Sequence, residues 1–170
     1  MKTVFNITLK ALVGAMLLSG ATSLFAEAPL HSVTGSALTA IPADFWFPGS
    51  LPYLHQTSIS AHQQADGTVK GDAIFQEWSD TRQGHFLIEM RITCLNVIGN
   101  TAYFGAVILR SNDLIFAPPG SELIGYVTDS NGVGPDIFWF GPDFIFPGQD
   151  CSDRPAIREV PITSGNFIVR

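Results

Sequence analysis

His85-Phe-Leu-Ile-Glu-Met-Arg-Ile-Thr-Cys-Leu-Asn-Val97, then Gly99-Asn100, then Thr101-Ala-Tyr-Phe-Gly-Ala-Val-Ile-Leu-Arg110 is the stretch that decides the fold. Successive side chains of an extended chain point to opposite faces. Phe86, Ile88, Met90, Ile92 and Cys94 therefore share one face of the first run, and His85, Leu87, Glu89, Arg91 and Thr93 share the other. The second run is rich in the aromatic and branched residues that suit a pleated surface. Gly99-Asn100 between them tolerates the positive φ of a tight turn, so the two runs form a central antiparallel hairpin.

The same period extends in both directions. Val33 to Ile41 reads as a first strand and Leu54 to Gln63 as a second, separated by the breaker-rich connection Pro42 to Pro52. Asp66-Gly67 within Ala65 to Thr68 is the strongest short hairpin signal, and Val69 to Trp78 returns as the third strand. Beyond the central hairpin, the Pro118-Pro119-Gly120 loop leads into Leu123 to Thr128, followed by a polar loop from Asp129 to Asp136. Ile137 to Phe140 and Asn166 to Arg170 are two further short strands. The pattern predicts an all-β fold, an antiparallel barrel or sandwich of about eight strands, with no amphipathic helix in residues 27–170.

Composition agrees with a single β-domain. The 170 residues are 46% hydrophobic and 14% charged, with 13 Phe, 16 Gly and 11 Pro, a profile far from that of disordered or coiled-coil chains. Only nine Lys and Arg stand against fifteen Asp and Glu, and the isoelectric point is about 5.0, which excludes the basic face that nucleic-acid phosphates require. The mean hydropathy of +0.24 raises the membrane question.

The N-terminus answers it. Lys2 and Lys10, the apolar run Ala11-Leu-Val-Gly-Ala-Met-Leu-Leu18 and the small residues Ser19-Gly-Ala-Thr-Ser23 follow the order of a secretory signal peptide. The run falls short of the ~20 apolar residues that span a bilayer. Cleavage is expected after Ala26, giving a signal peptide over 1–26 and a β-domain over 27–170; Ala21 stands where lipidation needs a Cys. The remaining chain has seven basic residues against fifteen acidic ones, a net charge of −8. A secreted protein, extracellular or periplasmic, with no membrane span after signal cleavage is the expectation.

In an oxidising compartment the two cysteines, Cys94 and Cys151, are expected to pair. Such a bond stabilises the fold by roughly 4 kcal/mol in the chain-entropy model. A nucleophilic role for Cys94 needs a neighbouring base, which its own strand lacks.

Ala65-Asp-Gly-Thr-Val-Lys-Gly71, Ile92-Thr-Cys-Leu-Asn-Val-Ile-Gly-Asn-Thr-Ala102 with Phe104-Gly105, Val127-Thr-Asp-Ser-Asn-Gly132 ahead of Pro135-Asp136, and Gly165-Asn-Phe-Ile-Val-Arg170 carry a resemblance. As an ordered set covering most of residues 27–170, they resemble a family of small exported bacterial all-β proteins of unknown function. The resemblance implies the fold and the compartment and brings no activity with it. Members tend to carry an acidic residue after Asn-Gly in the Asp129 loop, where this chain has Val133.

The chemistry-bearing residues are few. Gly120-Ser-Glu-Leu-Ile-Gly125 has the wrong spacing for a nucleophile elbow and precedes a strand. His55 and His62 fall on opposite faces of one strand, and His85 and Glu89 lie about 13 Å apart along another, so neither pair chelates an ion unaided. Asp129, Asn131 and Asp136 resemble half of a calcium loop without its closing bidentate Glu, and the competing reading is an Asx- and Gly-rich turn. His85, Glu89 and Arg91 form a polar row that either lines a barrel or faces water with a cross-strand ion pair. Trp46 within Phe45-Trp-Phe47 and Trp139 within Phe138-Trp-Phe140 either offer exposed aromatic surface or cover the open ends of the β-core, the preferred reading because so many aromatics within a few residues cannot all stay wet. Alternation turns Trp139 away from Phe138 and Phe140 and leaves at least one of them a candidate for exposure.

These readings converge on a non-catalytic binding or structural protein of the cell envelope or exterior. Carbohydrate, a small apolar ligand or another protein are its candidate partners, and no cofactor is implied. The alternative is a small barrel enzyme of cyclase or isomerase type that uses His85, Glu89 and Arg91 as an interior row, an expectation that rests on fold analogy.

Overall fold

The computed structural model describes residues 29–45, 48–79, 84–115, 117–142, 151 and 159–170. Among them every regular element is a strand: β1 (His31–Ile41), β2 (Tyr53–Gln63), β3 (Val69–Ser79), β4 (Gly84–Ile98), β5 (Thr101–Ser111), β6 (Glu122–Thr128), β7 (Ile137–Pro142) and β8 (Ser164–Val169). All eight belong to one antiparallel sheet in the order β7-β6-β5-β4-β3-β2-β1-β8, curled into a half-barrel. Of the two expected architectures this is the barrel-like one. No helix among the described residues is long and apolar enough to cross a membrane. The signal-peptide segment, residues 1–26, lies outside the described residues.

Seven strands, β1 to β7, lie side by side in sequence order, and tight turns set the registers of two of the pairs. Around Asp66-Gly67, with Gly67 at φ 83°, β2 and β3 pair so that Ala61 opposes Gly71 and His55 opposes Glu77. Around Gly99 at φ 63°, β4 and β5 pair with Ile98 opposite Thr101. The apolar phase of each strand faces the inside of the curl. There Val33, Ile59, Phe75, Met90, Ile92, Phe104, Ile108, Leu123, Val127, Phe138 and Phe167 form the core, most of them less than 5% exposed. Burying a side chain of this size contributes roughly 1.5–3 kcal/mol.

Two bulges interrupt β4 and β5, between Glu89 and Met90 and between Ile92 and Cys94. The second changes the face assignment expected from simple alternation. Ile92 opposes Ala106, then Cys94 opposes Gly105, and Leu95 rather than Cys94 continues the core beside Phe104. An extra residue inverts the phase of everything after it. Cys94 thereby reaches Cys151, and the two form the disulfide with Cα atoms 6.0 Å apart. A β-carbon at Gly105 would stand 2.6 Å from Cys94 Sγ and 3.6 Å from Cys151 Sγ, so a glycine is required where the bridge crosses β5.

The two edges of the sheet are brought together by backbone and side-chain contacts. Ile137 forms a β-bridge with Pro161, and Ile162 N–H donates to the Asp136 carbonyl at 2.9 Å. An edge strand leaves N–H groups unpaired. Here Phe167 N–H donates to Asp136 Oδ2 at 2.7 Å and Val169 N–H to Asp129 Oδ2 at 3.3 Å, while the Phe138 and Phe167 rings stack 5.8 Å apart.

Candidate functional site

Two regions at the same end of the sheet depart from the apolar-inside, polar-outside rule, and both arise from the end of β3. Along that strand Val69, Gly71, Ala73 and Phe75 face in and Lys70, Asp72, Ile74 and Gln76 face out. The last pair then exchanges chemical character: Glu77 faces in and is 6% exposed, and Trp78 faces out and is 40% exposed.

On the outer face Trp78 opposes Leu54 of β2 and His85 of β4. The indole and imidazole rings lie nearly parallel, 16° between planes and 5.1 Å between centroids. Leu54 is 43% exposed, so the three-strand row Leu54, Trp78, His85 offers apolar and aromatic surface to solvent. At about 4.8 Å per strand it spans about 10 Å. The next row on this face is Gln56, Gln76 and Leu87, in register across the same strands. Beyond it lies a charged lattice in which Glu89 opposes Arg110, with Oε2 and Nη1 3.5 Å apart, and Asp72 opposes Arg91. Arg110 is 80% exposed, so the Glu89 pair contributes at most ~1 kcal/mol.

The structure thus brings His85, Glu89 and Arg91 onto one face, and that face is the outer one. The interior row that a cyclase- or isomerase-type barrel enzyme was expected to use is not made by these residues, because their strand turns Ile88, Met90 and Ile92 inward instead. Trp46 lies outside the described residues. Trp139 does point away from Phe138, as alternation requires, but it is buried, packed with Tyr126 at 6.2 Å, Ile124 and Tyr103 on the outer face of β5 to β7.

On the inner face Glu77 and His55 oppose each other, with Oε2 and Nε2 3.4 Å apart, and Thr39 of β1 opposes His55 from the other side. Thr57, two residues along β2, shares their face and opposes Phe75, whose ring meets the His55 imidazole edge-on at 4.5 Å. Thr39, His55, Thr57 and Glu77 are all at least nine-tenths buried. This row was not foreseen as a site. Its signal was present in the sequence, since His55 and Thr57 fall in phase with Ile59 and Ala61, and the Asp66-Gly67 turn places His55 opposite Glu77.

The loop read as half of a calcium site has a structural occupation. Each of the four carboxylate oxygens of Asp129 and Asp136 accepts a backbone N–H: Asn131 at 2.7 Å and Val169 at 3.3 Å for Asp129, Ser130 at 2.9 Å and Phe167 at 2.7 Å for Asp136. Asn131 sits at φ 51°, in the left-handed region an Asx turn uses. Among the described residues no three His, Cys, Asp or Glu side chains gather where they could hold a metal ion. Compared with known proteins, the chain matches no family model, no curated protein and no solved structure.

Proposed function

We propose that this is an exported, non-catalytic binding protein of the cell envelope or exterior, and that its ligand is a carbohydrate held on the outer face by Leu54, Trp78 and His85. The observation that carries the proposal is Trp78, a large aromatic left 40% exposed on a sheet surface, beside a parallel imidazole and in front of two amide side chains. Sugars present both apolar C–H faces and hydroxyl groups. Trp78 and Leu54 offer surface for the former; Gln56, Gln76, His85 and the indole N–H offer neutral donors and acceptors for the latter. The neighbouring charges alternate in sign, which favours a neutral glycan over a charged one. The oxidised cysteine pair and the resemblance to small exported β-proteins support the compartment.

The test is calorimetric titration of the protein with neutral cello-, xylo- and chito-oligosaccharides. At least one series is expected to bind, with Trp78→Ala reducing affinity more than tenfold while the melting temperature stays within a few degrees. Absence of binding to all three at millimolar concentration, or binding that survives Trp78→Ala, rejects the assignment.

A further inference from the structure

We infer that the inner row Thr39, His55, Thr57 and Glu77 is a second binding site, independent of the outer face, for the hydroxyl group of a small alcohol with an apolar body. Four polar side chains on three adjacent strands interrupt an otherwise apolar inner face, and each is at least nine-tenths buried. Burial of such groups is unfavourable unless their hydrogen bonds are made. Thr57 is the decisive residue. It is 2% exposed, and its Oγ1 has no hydrogen-bond partner among the described residues. Its opposite neighbour is the ring of Phe75, which supplies none.

The chemistry of the row selects the ligand class. The Thr57 hydroxyl can donate, and the Glu77 carboxylate, held 3.4 Å from His55 Nε2, accepts. A ligand hydroxyl does both at once, taking the Thr57 hydrogen on its oxygen and giving its own to Glu77. A carbonyl lacks the donor, and a carboxylate adds a second negative charge beside Glu77. The surroundings, Phe75, Ile59, Ile88 and Ala37, are apolar, so the remainder of the ligand is apolar too.

The experiment uses cyclohexanol as probe and cyclohexane-saturated buffer as its counterpart without the hydroxyl, with backbone amide resonances of β2 and β3 as the readout. Cyclohexanol is expected to shift the amides around Thr57 and Phe75 saturably, and cyclohexane is not. Thr57→Val keeps the shape and removes the hydroxyl; it is expected to weaken cyclohexanol binding about tenfold, as loss of about 1.4 kcal/mol gives, and to leave the ligand-free protein no less stable. Thr57→Ser retains the hydroxyl and is expected to retain binding. Trp78→Ala, which abolishes the outer site, is expected to change nothing here, so failure of the glycan assignment and failure of this one are distinguishable. The inference is overturned if cyclohexanol produces no saturable shift, if Thr57→Val binds as well as the parent, or if Thr57→Val loses more than a few degrees of melting temperature, the result that a hydroxyl already satisfied by a buried water would give.

Discussion

Tyr126 and Trp139, on the β5 to β7 half of the outer face, are sealed from water, whereas Leu54 and Trp78, on the β2 to β3 half of the same face, are open to it. The sealed half carries Tyr103, Tyr126 and Trp139 on this face, the open half Trp78. Between them lies the disulfide, which fixes Cys151 to the outer surface at Cys94 and Gly105, on the line between β4 and β5. On one side of that line aromatic side chains serve stability. On the other the Trp78 indole stays at the surface, stacked on the His85 imidazole, and it is the residue on which the proposed ligand contact rests.

The contrast breaks if the two tryptophans respond alike to truncation. Trp139→Ala removes a side chain that is 5% exposed and is expected to destabilise by about 3–5 kcal/mol, measured by denaturant unfolding. Replacing Cys94 and Cys151 together by Ser is expected to cost about 2–4 kcal/mol, with amide exchange rising more in β5 to β7 than in β2 and β3. Equal acceleration on both sides would remove the bridge as the boundary. Trp78→Ala is expected to change stability by no more than about 0.5 kcal/mol, its effect falling on ligand affinity.

The smallest expected effect lies in the turn of the bare half. Asp66 Oδ1 accepts the Thr68 N–H at 2.8 Å, and that bond, assisted by the Thr68 hydroxyl and the nearby Lys70, holds the Asp66 carboxyl below its ordinary value. A carboxyl whose folded pKa is depressed adds stability above its unfolded pKa, and that stability disappears as the pH falls through the folded value. The melting-temperature gap between parent and Asp66→Ala is therefore expected to stay level from pH 7 to about pH 5 and to shrink below about pH 4. A gap that persists at lower pH would show that the side chain acts through turn conformation alone.

The strands and two of the hairpins were legible because the local signals agree with one another. Asp66-Gly67 and Gly99-Asn100 fix two hairpins, and alternation from His85 to Ile92 assigns the core face correctly. Alternation fails at Thr93, where a bulge with no distinguishing residue type turns Cys94 outward and Leu95 inward. Solvent exposure is a different quantity from facing. The phase of Trp139 was readable, and its burial agrees with the preference for packing in so dense an aromatic cluster; the partners it packs with were not readable, because packing above a strand is not written in the strand. The exchange at Glu77 and Trp78 could be read, as an acid in the apolar phase and an indole in the polar one, once the Asp66-Gly67 hairpin fixed which phase was which. The partners of Asp129 and Asp136 were beyond reach: Phe167 and Val169 lie 31 and 40 residues further along the chain, and no local pattern anticipates them.

The placement of β8 beside β1 has a kinetic consequence. Thr163 and Leu38, 125 residues apart in sequence, share two hydrogen bonds at this junction, and Val33 to Leu38 pair with Ser164 to Val169 along its length. Six hairpin steps can zip in order from any of the turns, but the outer edge of β1 stays uncovered until the last strand arrives. Folding dominated by so distant a pairing is slow. During that interval the exposed edge is open to strands of other molecules, so the yield of native protein is expected to depend on chain concentration even though its hairpins are local.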